Sequence, residues 1–76
     1  MNVINIIFRE LQNYSTRNTT ITNVTSAVIQ VLKEYGYTVT EDPDKLLGSR
    51  VIEVDGHRYR IVRNRDWLRY YVTQLD

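Results

Sequence analysis

Six arginines fall between positions 50 and 69 (Arg50, Arg58, Arg60, Arg63, Arg65 and Arg69), and Tyr59, Trp67, Tyr70 and Tyr71 are set among them. A guanidinium presents a planar fork of donors that matches phosphate, and an aromatic ring presents a stacking surface for an unpaired base, so the interleaving suits nucleic acid. Local ion pairs compete with that reading, because Arg65 adjoins Asp66 and Arg58 faces Glu53 across a hairpin. The candidate binding face drawn from the sequence comprises Arg50, Arg58, Arg60, Arg63, Arg65, Arg69, Trp67 and Tyr70.

Other residue types offer less. His57 is the only histidine, and no Ser or Cys stands at a spacing that would make it the base of a nucleophile, nor does a second ligand accompany it for zinc. It reads as an exposed turn residue. Glu41, Asp42 and Asp44 lack the alternating acids, the Gly and the distal Glu of a calcium loop, so they read as a solvated acidic segment. Gly48-Ser49-Arg50 is neither a phosphate-cradling loop nor a nucleophile elbow. No catalytic residue, metal site or cofactor is expected.

The elements that must position the arginines begin with Arg50 to Arg63, two β-rich runs joined by Asp55-Gly56. Asp-Gly favours a two-residue type I′ turn, since Gly accepts positive φ freely and Asp tolerates it better than most residues. The resulting register pairs Val54 with His57, Glu53 with Arg58, Ile52 with Tyr59 and Val51 with Arg60. Alternation then puts Ile52, Val54, Tyr59 and Ile61 on a core face and Glu53, Arg58 and Arg60 on a wet one.

Upstream, Val3, Ile4, Ile7, Phe8, Leu11 and Tyr14 follow helical spacing behind a capping Asn2, predicting a helix over 3–14. The segment 15–20 reads as a loop. Ile21, Val24, Ala27, Val28, Val31, Leu32 and Tyr35 predict a second helix, ended by a left-handed Gly36. Tyr37 to Thr40 alternates as a short strand, and 41–49 is a turn-rich connection around Pro43 in which Leu46 and Leu47 fold back as a lid. Asn64 is read as the cap of a last helix with Leu68, Tyr71, Val72 and Leu75 in its buried stripe, flanked by Trp67 and Tyr70. The expected fold is α+β in the order α-α-β-β-β-α, a three-stranded antiparallel meander covered on one face by helices. A winged-helix variant is the alternative.

At 76 residues with no cysteine, the chain is read as one compact domain over 1–76 without a disulfide framework. A chain of this size buries only about 60 to 65% of its extended surface, so the core is thin and a homo-oligomer is one way to support it. The formal net charge is +1, with six arginines against three acids over 50–70 and four basic against five acidic residues over 1–49. That balance argues against generic DNA binding. The opening residues are neither a signal peptide nor a membrane span, and three Asn-X-Ser/Thr sequons, at Asn13, Asn18 and Asn23, read as accidental. No membrane partner is expected, and the cytoplasm is the expected location.

The αβββα order from the second helix onward resembles the outline of the double-stranded RNA-binding domain and of toxin ribonucleases of the HicA type. The likeness is confined to outline. The last helix opens Asn64-Arg65-Asp66-Trp67 where the RNA-binding domain is rich in lysine, and Gly48-Ser49-Arg50 stands where the toxins carry a histidine after Gly-Ser. Topology alone does not confer function. The leading expectation is therefore a small non-catalytic accessory protein, such as phages and mobile elements encode, that acts on a protein partner. Nucleic-acid binding through the arginines is the alternative, and a small HicA-like ribonuclease using His57 is the second alternative.

Overall fold

The computed structural model describes residues 2–14, 19–42, 48–64 and 69–76. Two helices, α1 (Val3–Gln12) and α2 (Ile21–Glu34), precede four strands, β1 (Val39–Asp42), β2 (Ser49–Val54), β3 (His57–Asn64) and β4 (Arg69–Gln74). The strands form one antiparallel sheet in the order β1-β2-β3-β4. The fold is α+β, and the meander has four strands where three were expected.

Both helices start and stop where side-chain chemistry permits. The Asn2 side chain accepts from the Ile4 N–H at 2.9 Å, and the Thr20 hydroxyl accepts from the Asn23 N–H at 3.1 Å, so each helix has one of its orphan donors satisfied. Gly36, at φ +95°, ends α2: its N–H donates to the Lys33 carbonyl and the Tyr37 N–H donates to the Leu32 carbonyl, the paired bonds of a Schellman motif. Tyr37 then packs against the core and leads into β1.

Ile6, Ile7 and Leu11 of α1 and Val24, Val28 and Leu32 of α2 are buried against Val39, Ile52, Val54, Tyr59, Ile61 and Tyr70 of the sheet. Each fully buried Leu or Ile contributes about 1.5–3 kcal/mol of transfer free energy, so a few such side chains account for much of the driving force. The α1 stripe is rotated from its expected position: Ile6 is buried, whereas Phe8 is 51% exposed. Thr25 is also buried, with its hydroxyl donating to the Ile21 carbonyl at 2.7 Å, which removes the cost of an unsatisfied polar group.

The β2–β3 hairpin has the expected register, Val54 to His57 through Val51 to Arg60. Asp55 at φ 48° and Gly56 at φ +88° occupy the two left-handed positions that a type I′ turn requires. Ile52, Val54, Tyr59 and Ile61 are buried on the helix side as expected. The opposite face is not uniformly wet. Val51 and Ser49 are buried there, and Val51 is flanked on both sides by register partners, Asp42 on β1 and Arg60 on β3.

The last element corrects the expected order. Arg69–Gln74 is a strand, Asn64 ends β3 instead of capping a helix, and the winged-helix arrangement is absent from the described residues. Tyr71 and Leu75, assigned to the buried stripe of that helix, are 43% and 39% exposed, whereas Tyr70, assigned to its flank, is 3% exposed. Tyr70 and Val72 alternate with Tyr71 and Thr73, a period of two rich in β-forming residues, and pairing along β3 satisfies the backbone groups that strand would otherwise leave open. The outline shared with the RNA-binding domain and the toxin ribonucleases is lost with the helix. The lid read into Leu46 and Leu47, and the loop positions 15–18, lie outside the described residues.

Candidate interaction surfaces

Register assigns every strand arginine to a face. Arg58 and Arg60 on β3 and Arg69 on β4 share the face away from the helices, together with Tyr71 and Thr73. Arg50 lies two residues before Ile52, and Arg63 two residues after Ile61, so both belong to the helix-packed face. Arg50 is held there: one guanidinium nitrogen donates to the Ser49 carbonyl at 2.8 Å and the other to the Thr22 hydroxyl of α2 at 3.1 Å. The expected binding face is thus divided between two sides of the sheet.

Tyr70 takes no part in an exposed surface, since its ring is core and its hydroxyl donates to the Thr19 carbonyl at 3.0 Å. Arg65 and Trp67 lie outside the described residues. On the outer face the acids and bases also separate by strand, with Asp42 and Glu53 on β1 and β2 and Arg58, Arg60 and Arg69 on β3 and β4. Arg58 and Glu53 are direct cross-strand partners, which lowers the net field of the centre of that face.

His57 acquires a neighbour that sequence spacing could not reveal. Its Nδ1 lies 3.3 Å from Asp76 Oδ2, and Asp76 Oδ1 accepts from the Arg58 backbone N–H at 3.2 Å. Desolvation is the largest single influence on Asp76 and pushes its pKa up, but the Arg58 N–H, the Gln74 side chain and His57 together hold it below the ordinary carboxylate value. Burial, then the charge of Asp76 and Tyr37, pushes the Tyr59 phenol up, keeping it neutral. A carboxylate orienting an imidazole is half of a nucleophilic triad, yet the His57 side chain is 61% exposed and so lacks the water-excluded setting that catalysis by such a pair uses. Among the described residues no three His, Asp or Glu side chains gather as a metal site. No helix among them is long and apolar enough to cross a membrane.

Among the described residues, the exposed large apolar side chains are Phe8, Tyr35, Tyr71 and Leu75. Three of the four lie on or directly beyond α1 and β4, the two elements that pack on each other at one side of the sheet, while α2 covers β1, β2 and β3. A shallow groove lined by Ser26, Ile29, Gln30, Lys33 and Glu34 runs along the outward side of α2.

The β4 edge itself is a second feature of that side. The Leu75 N–H donates to the Arg58 carbonyl at 2.9 Å, so residues 75, 73, 71 and 69 turn their backbone groups toward β3. Tyr70, Val72 and Gln74 consequently direct theirs away from the sheet. At the other side, the Asp55 N–H donates to the Thr38 carbonyl at 3.0 Å, which leaves only Val39 and Glu41 facing outward from β1. No protein family, curated protein or solved structure matches this chain, so its surfaces rest on their own chemistry.

Proposed function

We propose that this chain is a non-catalytic binding protein that acts by occupying the surface of a protein partner, in the manner of the small accessory factors that phages and mobile elements encode. The supporting observation is the exposure of Tyr71 and Leu75 together on the outer face at β4. Exposed aromatic and aliphatic side chains that share one face are characteristic of protein interfaces, where Tyr and Arg are both enriched. With Arg50 held on the helix side and Tyr70 in the core, the outer face has fewer of the basic and aromatic groups that single-stranded nucleic acid uses than the sequence alone offered.

A photo-crosslinking side chain in place of Tyr71 tests the reading. It should capture a single polypeptide, a control at the exposed Tyr35 should not, and Leu75→Arg should abolish the product. Recovery of nucleic acid alone would reverse the choice.

One observation favours a second reading. Arg58 and Arg60 are two residues apart on β3, so their side chains emerge on one face about 7 Å from each other, comparable to successive phosphates. Retention on heparin or single-stranded DNA with a steep salt dependence, lost in Arg58→Glu with Arg60→Glu, would establish nucleic acid as the ligand. The proposed function expects passage through both columns at physiological salt.

A further inference from the structure

We propose that Arg50 and Arg63 form a site for one phosphate group on the helix side of the sheet, beside the start of α2. The site goes beyond the protein-binding reading and lies on the face opposite Tyr71 and Leu75. Arg50 pairs with Ile61 across the β2–β3 ladder, and the Arg63 N–H donates to the Gly48 carbonyl at 2.8 Å, so the two arginines are diagonal neighbours on one face. Such neighbours stand about 7–8 Å apart, a span over which two arginine side chains can close on a single anion. Both residues are half-buried.

Arg50 is already held in position. Its guanidinium donates to the Ser49 carbonyl at 2.8 Å and to the Thr22 hydroxyl at 3.1 Å, which fixes the fork at the first turn of α2 and uses only some of its N–H donors. Glu41 is the diagonal neighbour of Arg50 on β1, but the guanidinium is turned to Thr22. Among the described residues neither Arg50 nor Arg63 makes an ion pair. Arg50 faces Ile61 on β3, and Arg63 faces Gly48 and Tyr70, none of them charged, whereas Arg58 faces Glu53. Two like charges held side by side and partly out of water raise the local potential, and a bound anion offsets both. The first turn of α2 contains no acid and adds its positive dipole end, a smaller contribution than either guanidinium.

The framework around the pair is fixed without any ligand. Tyr70 is core, and its hydroxyl donates to the Thr19 carbonyl at 3.0 Å, tying the approach to α2 onto the sheet. Donors placed in advance lose little freedom when an anion arrives. A planar carboxylate is satisfied by one guanidinium fork, whereas a tetrahedral phosphate has oxygens for two, and this selects phosphate.

The test is titration of the full isotope-labelled chain with inorganic phosphate, from micromolar to millimolar concentration at constant ionic strength, followed by NMR at the Thr22 amide and the arginine Nε–H signals. The expected result is a saturable shift at Thr22, Arg50 and Arg63, with the Arg58 and Arg69 signals unmoved. Arg63→Gln removes one fork and should weaken binding about tenfold, whereas Arg58→Gln, which removes the same charge from the outer face, should leave it unchanged. Should Arg63→Gln unfold, Arg63→Lys keeps the charge and the aliphatic stem but not the fork, and should still weaken binding severalfold. Adenosine monophosphate over the same range separates the sources of the group: tighter binding than inorganic phosphate makes a nucleotide monoester the ligand, and equal or weaker binding makes it the free ion. Shifts that grow without saturating, or equal losses in Arg63→Gln and Arg58→Gln, overturn the proposal.

Discussion

β1 and β4 close the same sheet at opposite sides, and they are built on different terms. β1 is four residues long, only Val39 of it is buried, and two acids occupy its far end. It is tied to the hairpin through its approach, where the Thr38 N–H donates to Asp55 Oδ1 at 2.9 Å. β4 has six residues, lies under α1, and sends Tyr70 into the core. Shortness and charge guard the first edge against foreign strands; the second is longer and is covered at Tyr70, which is 3% exposed. Two edges of one sheet can thus differ sharply in how far they belong to the core.

The comparison breaks most visibly if the two edges contribute equally to stability. Tyr70→Ala removes a 3% exposed ring and the hydroxyl bond to Thr19, and large-to-small changes of that kind cost about 3–5 kcal/mol. Val39→Ala deletes two methyl groups from a site 7% exposed and should cost about 1.5–2 kcal/mol. For a domain of this size each kcal/mol lowers Tm by about 4–8 °C, so thermal denaturation separates the two variants easily. Equal shifts would mean that β4 is no more part of the core than β1. Tyr71→Ala, one residue along from Tyr70 and on the other face, should stay within about 0.5 kcal/mol of the parent.

Between the edges sits the hairpin, and Gly56→Val probes whether it is the rigid centre from which both are hung. Beyond its chain neighbours no atom lies within 4 Å of the position a Cβ would take, so the substitution acts through φ +88°. A β-branched residue resists that conformation and should cost about 1 kcal/mol or more. Asp55→Gly sharpens the contrast further. Glycine relieves the φ of 48° but removes the carboxylate that accepts from Thr38, so the two effects offset and the net change should fall within about 1 kcal/mol. The informative measurement is local: the Thr38 amide should exchange faster while the amides of β4 keep their rates. Faster exchange at both edges would show that they are not independently anchored.

Much of this architecture was legible in the residues, and the exceptions have physical causes. The helices announced themselves through long apolar periods and capping side chains, and the hairpin through Asp55-Gly56, because these signals are local. The sequence of 68–75 supports two periods at once: Tyr70 and Val72 for a strand, and Leu68, Tyr71, Val72 and Leu75 for a helix. Eight residues cannot decide between them; β3 decides, because without β4 its own outer edge would stand open. The division of the arginines was partly legible. The alternation that places Ile52 and Ile61 inside also places Arg50 and Arg63 on the helix side, so the register already argued against one continuous arginine face. Burial of Tyr70 was not legible, since it depends on the strand that the local pattern left undecided. Nor was the meeting of His57 with Asp76, which lie 19 positions apart and are brought together by the β3–β4 pairing.

That meeting supplies the smallest expected effect and the finest distinction between the edges. Asp76 follows β4 and closes it onto the start of β3, accepting from the Arg58 N–H at 3.2 Å and approaching His57 at 3.3 Å. In the folded chain its pKa lies below the ordinary carboxylate value, because those donors together outweigh desolvation. A depressed folded pKa means that the unfolded chain binds the proton first as pH falls. The contact therefore contributes fully above the unfolded value, near pH 4, and its contribution is lost as pH falls through the folded one. Both side chains are exposed and solvent screens them, so the consequence is local loosening at the end of β4 and not unfolding. In an acid titration followed by NMR, the Arg58 amide should shift with a midpoint below the ordinary carboxylate range. Asp76→Asn should remove that titration, and the Thr38 amide, bonded to Asp55 at the other edge, should not follow the same curve. An Arg58 amide that titrates unchanged in Asp76→Asn would show that another group senses the proton and that β4 is not closed by this clasp.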